Sequence, residues 1–148
     1  MLYLGSDHAG FHLKEEIKKY LDRVGVIYED LGNSQYDEQD DFPDYAVAVA
    51  DKVSGTQHKG ILFCGSAIGM VIAANKFNDI RAGHVFDDYT ARQSKEHDDV
   101  NVLVLAGRLT QPVVAKRLVK IWLASKFSRE QKYRRRVKKI LKLEQGKL

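Results

Sequence analysis

The stretch that most constrains this chain is Gly60-Ile61-Leu62-Phe63-Cys64-Gly65-Ser66-Ala67-Ile68-Gly69-Met70. Ile61, Leu62 and Phe63 form an unbroken apolar run, the pattern of a parallel strand covered on both faces. Small residues interrupt the run at Cys64-Gly65-Ser66, and Val71-Ile72-Ala73-Ala74-Asn75-Lys76 then reads as a helix. A strand that passes through a small-residue loop into a helix is the repeating unit of an open α/β sheet. Ligands bind at that edge, where loop amides and helix N-termini converge. The only cysteine, Cys64, sits at the junction. Loop amides and a helix dipole can acidify a thiol so placed. The plainer alternative is a buried core cysteine, since free Cys is among the most buried residue types.

The same unit recurs along the chain. Leu2-Tyr3-Leu4 predicts a strand, broken by Gly5-Ser6-Asp7-His8-Ala9-Gly10. A helix follows with Leu13, Ile17, Tyr20 and Leu21 on one face and Lys14, Glu15, Lys18 and Lys19 on the other, until Gly25 stops it. Val26-Ile27-Tyr28 is a second strand. Residues 32–41 are polar and acidic, a surface loop, and Pro43 opens a helix carrying Tyr45, Val49 and Val53. Arg81 to Phe86 predicts a fourth strand, with Asp87 or Asp88 capping a helix towards Glu96. Val102 to Leu105 is a fifth, ended by Ala106-Gly107-Arg108. Thr110 then caps a helix with Pro112 near its start and Val114, Leu118, Ile121 and Trp122 inward. Strands alternating with helices predict an α/β fold, with a parallel five-stranded sheet and helices on both faces.

The 148 residues predict one domain with a sizeable core. No apolar run is long enough to span a membrane, and no basic-then-apolar leader opens the chain. One cysteine rules out an internal disulfide and fits a reducing, cytoplasmic setting. No Cys/His spacing calls for a structural metal, and no cofactor is expected. The net charge of +4 conceals an asymmetry. Residues 126–148 hold ten of the 24 Lys and Arg but two of the 20 Asp and Glu, so the tail carries +8 and the remainder −4. From Ser128 the tail reads as a helix with a thin stripe of Tyr133, Val137, Ile140, Leu141 and Glu144, expected to pack on something other than its own core, such as a second subunit. A basic tail suits nucleic acid, a membrane surface or a phosphorylated small molecule.

Three strands end in groups fit for a ligand: Asp7-His8, Cys64-Gly65-Ser66 and Gly107-Arg108. Each has a plain explanation alone, since Asp7 could merely cap a helix and Arg108 could be a solvated charge. Together they belong on one edge of one sheet. His97-Asp98-Asp99 ends a helix, where a cation is favoured. His12, His58 and His84 read as structural. A cysteine phosphatase would place an arginine where Met70 stands, which excludes that chemistry. A phosphocysteine carrier domain needs neither His97 nor a basic tail.

Taken together, Gly5 to Gly10, Cys64 to Gly69, Ile72 to Phe77, Ile80-Arg81-Ala82, His97 to Val102 and Gly107-Arg108 resemble the B-type ribose 5-phosphate isomerases, a family that includes galactose 6-phosphate and allose 6-phosphate isomerases. The resemblance implies a three-layer Rossmann-like sandwich and a metal-free enzyme that is a homodimer or homotetramer, interconverting ribose 5-phosphate and ribulose 5-phosphate. It implies that Cys64 is the base, since the Glu of the family's other branch is here Met70. Ser66 stands beside the base, and the amides of Gly65, Ser66, Ala67, Ile68 and Gly69 hold the enediolate. His97 opens the furanose ring and Asp7 bonds the sugar. His8, Arg108, Lys132 and Arg136 hold the phosphate.

Three positions depart from the family pattern. Ala67 replaces a frequent Gly. Asp98 replaces an Asn, putting a carboxylate near the sugar. The tail motif reads Lys132-Tyr133-Arg134-Arg135-Arg136, with a lysine point charge where arginine would give a fork. The alternatives are a six-carbon phosphosugar isomerase and a nucleic-acid-binding protein using the tail. The latter is disfavoured by the acidic body and the sparse tail aromatics.

Overall fold

The computed structural model describes residues 1–147. Five strands form one all-parallel sheet: β1 (Leu2–Ser6), β2 (Tyr28–Asp30), β3 (Lys59–Cys64), β4 (Ala82–His84) and β5 (Val102–Ala106), in the order β2-β1-β3-β5-β4. Six helices alternate with or follow them: α1 (His8–Arg23), α2 (Phe42–Val53), α3 (Ile68–Ala74), α4 (Asp88–Glu96), α5 (Pro112–Ala124) and α6 (Gln131–Glu144). No helix among the described residues is long and apolar enough to cross a membrane.

Side chains alternate across a strand, so each central strand feeds two cores. Leu2, Leu4, Ile61, Phe63, Leu103 and Leu105 meet Leu13, Ile17 and Leu21 of α1, Ala91 of α4 and Leu118 and Trp122 of α5. Tyr3, Leu62, Cys64, Val104 and Ala106 meet Ala46, Val49 and Val53 of α2 and Met70 and Ala74 of α3. The three-layer α/β arrangement expected from the sequence is therefore present, and Cys64 belongs to the α2/α3 side of it.

Several local expectations shift. The second strand starts at Tyr28, not Val26, because the Val26 N–H bonds back to the Leu21 carbonyl after Gly25 turns with φ of 71°, leaving Ile27 exposed. The fourth strand pairs only over Ala82–His84. At one end, the Arg81 amide donates to the Asn101 side chain and its guanidinium turns to Asp99; at the other, the Phe86 amide donates to the Thr90 hydroxyl. Asp87, not Asp88, caps α4, accepting from the Thr90 N–H. Gln111 takes the cap position of α5 instead of Thr110, whose N–H closes the preceding turn on Ala106. The tail helix begins at Gln131 rather than Ser128, and it packs on its own chain: Tyr133 and Val137 are buried, and Glu144 accepts from the Asp79 N–H at 2.9 Å.

Lys14 corrects the amphipathic reading of α1. Placed on the polar face by its spacing, it is 0% exposed, its ammonium donating to both Asp30 oxygens at 2.8 and 2.7 Å and to the Asn33 carbonyl at 2.9 Å. A buried cation survives only when paired and hydrogen-bonded, and the end of β2 supplies the partner. Burial pushes the Asp30 carboxyl up, but hydrogen bonds from Lys14 and Lys18 outweigh it and hold the group below its ordinary value. Asp30→Ala should cost about 3–5 kcal/mol, because it leaves the buried Lys14 ammonium with only the Asn33 carbonyl and a Glu15 carboxylate oxygen 3.6 Å away. A carboxyl lowered on folding stabilises above its unfolded value near pH 4 and loses that contribution as pH falls through the lower folded value. In denaturant titrations, the gap between wild type and Asp30→Asn should therefore narrow below about pH 4; a gap that widened there would contradict the pairing.

Candidate active site

The carboxyl ends of β1, β3 and β5 lie side by side, with Ser6 opposite Phe63 and Cys64 opposite Ala106. At this edge Asp7, His8, Ala9, Phe42, Cys64, Gly65, Ser66, Gly69, Arg108 and Leu109 line a cleft of about 330 Å³. The first turn of α1 is pressed against the strand ends. A Cβ on Gly10 would lie 2.3 Å from the Phe63 carbonyl carbon, and one on Gly107 would lie 2.5 Å from the Ala9 oxygen. The two glycines thus let the start of α1 and the loop after β5 close on the loop after β3.

Asp7 does cap α1, accepting from the Gly10 N–H at 2.9 Å, yet it also faces the cleft. Burial raises its carboxyl above the ordinary value despite that hydrogen bond. Ala67 is buried in the left-handed region with φ of 71°, a conformation that a glycine adopts freely. The amides of Met70, Ala67 and Ser66 lie close enough to the Cys64 thiol to favour its ionised form. The expected acidification of the thiol is nevertheless overturned. Burial raises Cys64, the nearby Asp7 charge adds to the rise, and the amides offset only part of it.

Of the residues singled out in the sequence, Asp7, His8, Cys64, Gly65, Ser66, Gly69 and Arg108 share the cleft. Ala67 and Ile68 complete the loop without lining it, and Ile68 is exposed. His97, Lys132 and Arg136 gather elsewhere. The His97 ring, at the end of α4, stacks on Tyr133 with centroids 3.8 Å apart and planes 13° from parallel. The Lys132 ammonium lies 4.7 Å, and the Arg136 guanidinium 5.8 Å, from the Tyr133 centroid. Asp98 lines a different cleft of about 440 Å³, together with Asn75 and Ile140. Tyr133, which the sequence reading gave only to an apolar stripe, is therefore the platform on which this second group is built. Phe42 and Asp40 were also missed: Phe42 lies against Gly69, and Asp40 holds His8. The acidic run around them carried no signal beyond a solvated loop. Among the described residues, no group of three or more His, Cys, Asp or Glu side chains is placed to hold a metal ion.

The lone thiol makes its ionisation directly measurable. Iodoacetamide should modify Cys64 of the single chain, freed from any partner by dilution, slowly at neutral pH, with a rate still rising above pH 9, the ordinary thiol value. Asp7→Asn removes a negative neighbour and should shift that profile to lower pH. A single-chain profile below the ordinary value, or one unmoved by Asp7→Asn, would contradict the burial and charge argument.

A family profile described as Ribose/Galactose Isomerase matches residues 2–140. The chain is 40% identical over 142 residues to ribose-5-phosphate isomerase B of Escherichia coli, covering 95% of this chain and 94% of that one. It is 35% identical over 125 residues to the D-erythrulose-4-phosphate isomerase of Pectobacterium atrosepticum, covering 84% and 82%. Its fold superposes on the crystal structure of ribose-5-phosphate isomerase B from Mycoplasma genitalium with bound ribulose-5-phosphate, with a TM-score of 0.93, 35% identity and coverage of 97% and 95%. A cysteine at the end of β3, the loop amides close to its thiol, and a match spanning nearly every residue lead to one conclusion: the chain belongs to the ribose/galactose isomerase family.

Proposed function

We propose that this protein interconverts ribose 5-phosphate and ribulose 5-phosphate, with Cys64 as the base. The observation that carries the reading is the cleft itself, where one thiol, a ring of loop amides, His8 and Arg108 converge. In the open-chain aldose, the Cys64 thiolate takes the C2 proton. The C–H electron pair forms the C1–C2 double bond, and the carbonyl pair moves onto O1. The amides of residues 65 to 69 stabilise this enediolate, as donors fixed in advance where charge develops. Cys64 returns the proton to C1 as the C2 hydroxyl proton passes to O1, giving the ketose. Ser66 stands beside the base, and Asp7 binds the sugar. His8 and Arg108 hold one side of the phosphate.

The remaining roles fall to the second group: His97 in ring opening, Asp98 beside the sugar, Lys132 and Arg136 on the phosphate. That group does not line its own chain's cleft, so a homodimer, alone or within a homotetramer, supplies it from a second copy. Two features support this arrangement. Ile68, Ile72 and Leu109 leave an exposed apolar rim beside the cleft. The thiol of one chain alone is also raised, and cations arriving from a partner would draw it back towards the thiolate. The setting proposed is the cytoplasm, in keeping with one free thiol. The Pectobacterium relative's name and the family description make sugar length the open axis of specificity. Comparing turnover of ribose 5-, allose 6- and galactose 6-phosphates tests it, and preference for a six-carbon sugar would overturn the ribose assignment.

Cys64→Ala should lower turnover by about 10²–10⁴ while sparing phosphosugar binding; retained turnover would exclude Cys64 as the base. The shared site is tested by mixing inactive Cys64→Ala with inactive Arg136→Ala and letting subunits exchange. If the site is shared, each mixed dimer has one site with both lesions and one intact site. Random exchange makes about half the dimers mixed, so about a quarter of all sites should recover. Verified exchange without recovery would mean that each tail serves its own chain.

A further inference from the structure

His8 begins α1, so its backbone N–H is one of the donors a helix leaves without an intrahelical partner. Asp40, 32 positions along the chain, supplies the acceptor. Its Oδ1 takes the His8 N–H at 3.0 Å and meets His8 Nδ1 at 2.7 Å, while Oδ2 accepts from Asn33 Nδ2 at 3.2 Å. The Asp40 side chain is 5% exposed and that of His8 is 27% exposed. His8 faces the cleft and Asp40 lies behind it. The loop bearing Asp40 is itself pinned, because the Asn33 carbonyl accepts from buried Lys14 and the Gly32 N–H donates to Asp30. The Tyr36 and His8 rings stand roughly perpendicular, 88° apart with centroids 6.3 Å from each other.

Burial pushes the Asp40 carboxyl up, but hydrogen bonds from the His8 amide, the His8 ring and Asn33 outweigh it and keep the group ionised at neutral pH. An ionised carboxylate only accepts hydrogen bonds. The ring nitrogen facing it must therefore carry a proton, which leaves Nε2 as the nitrogen available to a ligand. A carboxylate that fixes the tautomer and aim of a histidine from behind is a recurrent way of preparing the ring for its partner.

We propose that Asp40 is a positioning residue, which holds the His8 ring through Nδ1–H and so aims Nε2–H of the imidazolium, a donor, at the phosphate of the sugar. The proposal rests on His8 being a phosphate ligand, as argued above. If Asp40 served only to anchor its loop, its loss would have the same effect whether or not His8 were present.

The test combines enzyme kinetics with competitive inhibition by inorganic phosphate, which reads the anion subsite without the sugar. Asp40→Ala should raise both the KM for ribose 5-phosphate and the phosphate Ki about tenfold, the effect of losing a charge-assisted hydrogen bond, with kcat nearly unchanged. His8→Ala should raise the phosphate Ki at least as much. In the His8→Ala background, Asp40→Ala should add nothing further. Penalties that multiply in the double variant would overturn the proposal, as would a phosphate Ki unmoved by Asp40→Ala while His8→Ala weakens it. A phosphate Ki unmoved by His8→Ala would remove the phosphate role of His8, and this proposal with it. A second readout needs only folded protein and the milder Asp40→Asn. Nitrogen NMR of labelled histidine should show His8 with a proton on Nδ1 in the wild type, and a mixed tautomer population in Asp40→Asn, whose amide can also donate. A wild-type His8 lacking the Nδ1 proton would overturn the assignment.

Discussion

The site depends on a close approach: the first turn of α1 lies against the end of β3 with no room for a side chain at Gly10, and the loop after β5 lies against α1 with none at Gly107. Every group in the cleft takes its position from this contact. It brings the Asp7 carboxylate near enough to Cys64 to affect its ionisation, and it sets His8 where Asp40 can reach around from behind. The parallel sheet supplies the platform, but the spacing of the chemistry follows from two missing Cβ atoms. A sheet with the same strand order and a side chain at either position would keep its core and separate its reactive groups.

Burial and hydrogen bonding compete throughout this edge of the molecule, and the outcome differs from group to group. Asp30 and Asp40 receive enough donors to stay ionised while largely enclosed. Asp7 and Cys64 receive too few to offset their burial, and both are raised above their ordinary values. The difference lies in the donors. Asp30 meets two ammonium groups and Asp40 meets a ring and an amide of His8, whereas Cys64 meets neutral amides and an unfavourable neighbour. The cleft of one chain is thus short of positive charge, while the tail of the same chain has a surplus of it gathered around Tyr133 and beyond.

The strand-loop-helix repeat was legible because parallel strands buried on both faces announce themselves as apolar runs, and because Cys64, Asp7 and Arg108 each follow such a run directly. Edge strands were less legible. Only the pairing of Tyr28 with Leu2, and the turning away of Arg81 and Phe86, decide where β2 and β4 begin and end. Periodicity put Lys14 on the polar face because no local pattern could reveal Asp30, which folds back to meet it. Asp40 was hidden in the same way, in an acidic run whose other members are solvated. The His97–Tyr133 stack was unreadable for a related reason: each residue had a sufficient local explanation, and the contact between them exists only once α6 packs against the end of α4. The sign of the Cys64 shift depends on how deeply the α2/α3 core encloses the sulfur, which no spacing rule measures.

That enclosure has a consequence for the life of the chain before and after folding. The thiol is shielded by a core that joins α2 and α3 to residues as far apart as Tyr3 and Ala106, so its protection is complete only once the sheet is assembled. Until β5 slots in beside β3, Cys64 is an ordinary solvent-exposed cysteine, more easily ionised and oxidised than in the finished molecule. Parallel pairing of this kind closes late, because it must bring together residues far apart in sequence. The native fold thus acts as an antioxidant for its own reactive sulfur, and transient opening of the sheet edge is the moment at which the protein is chemically most vulnerable.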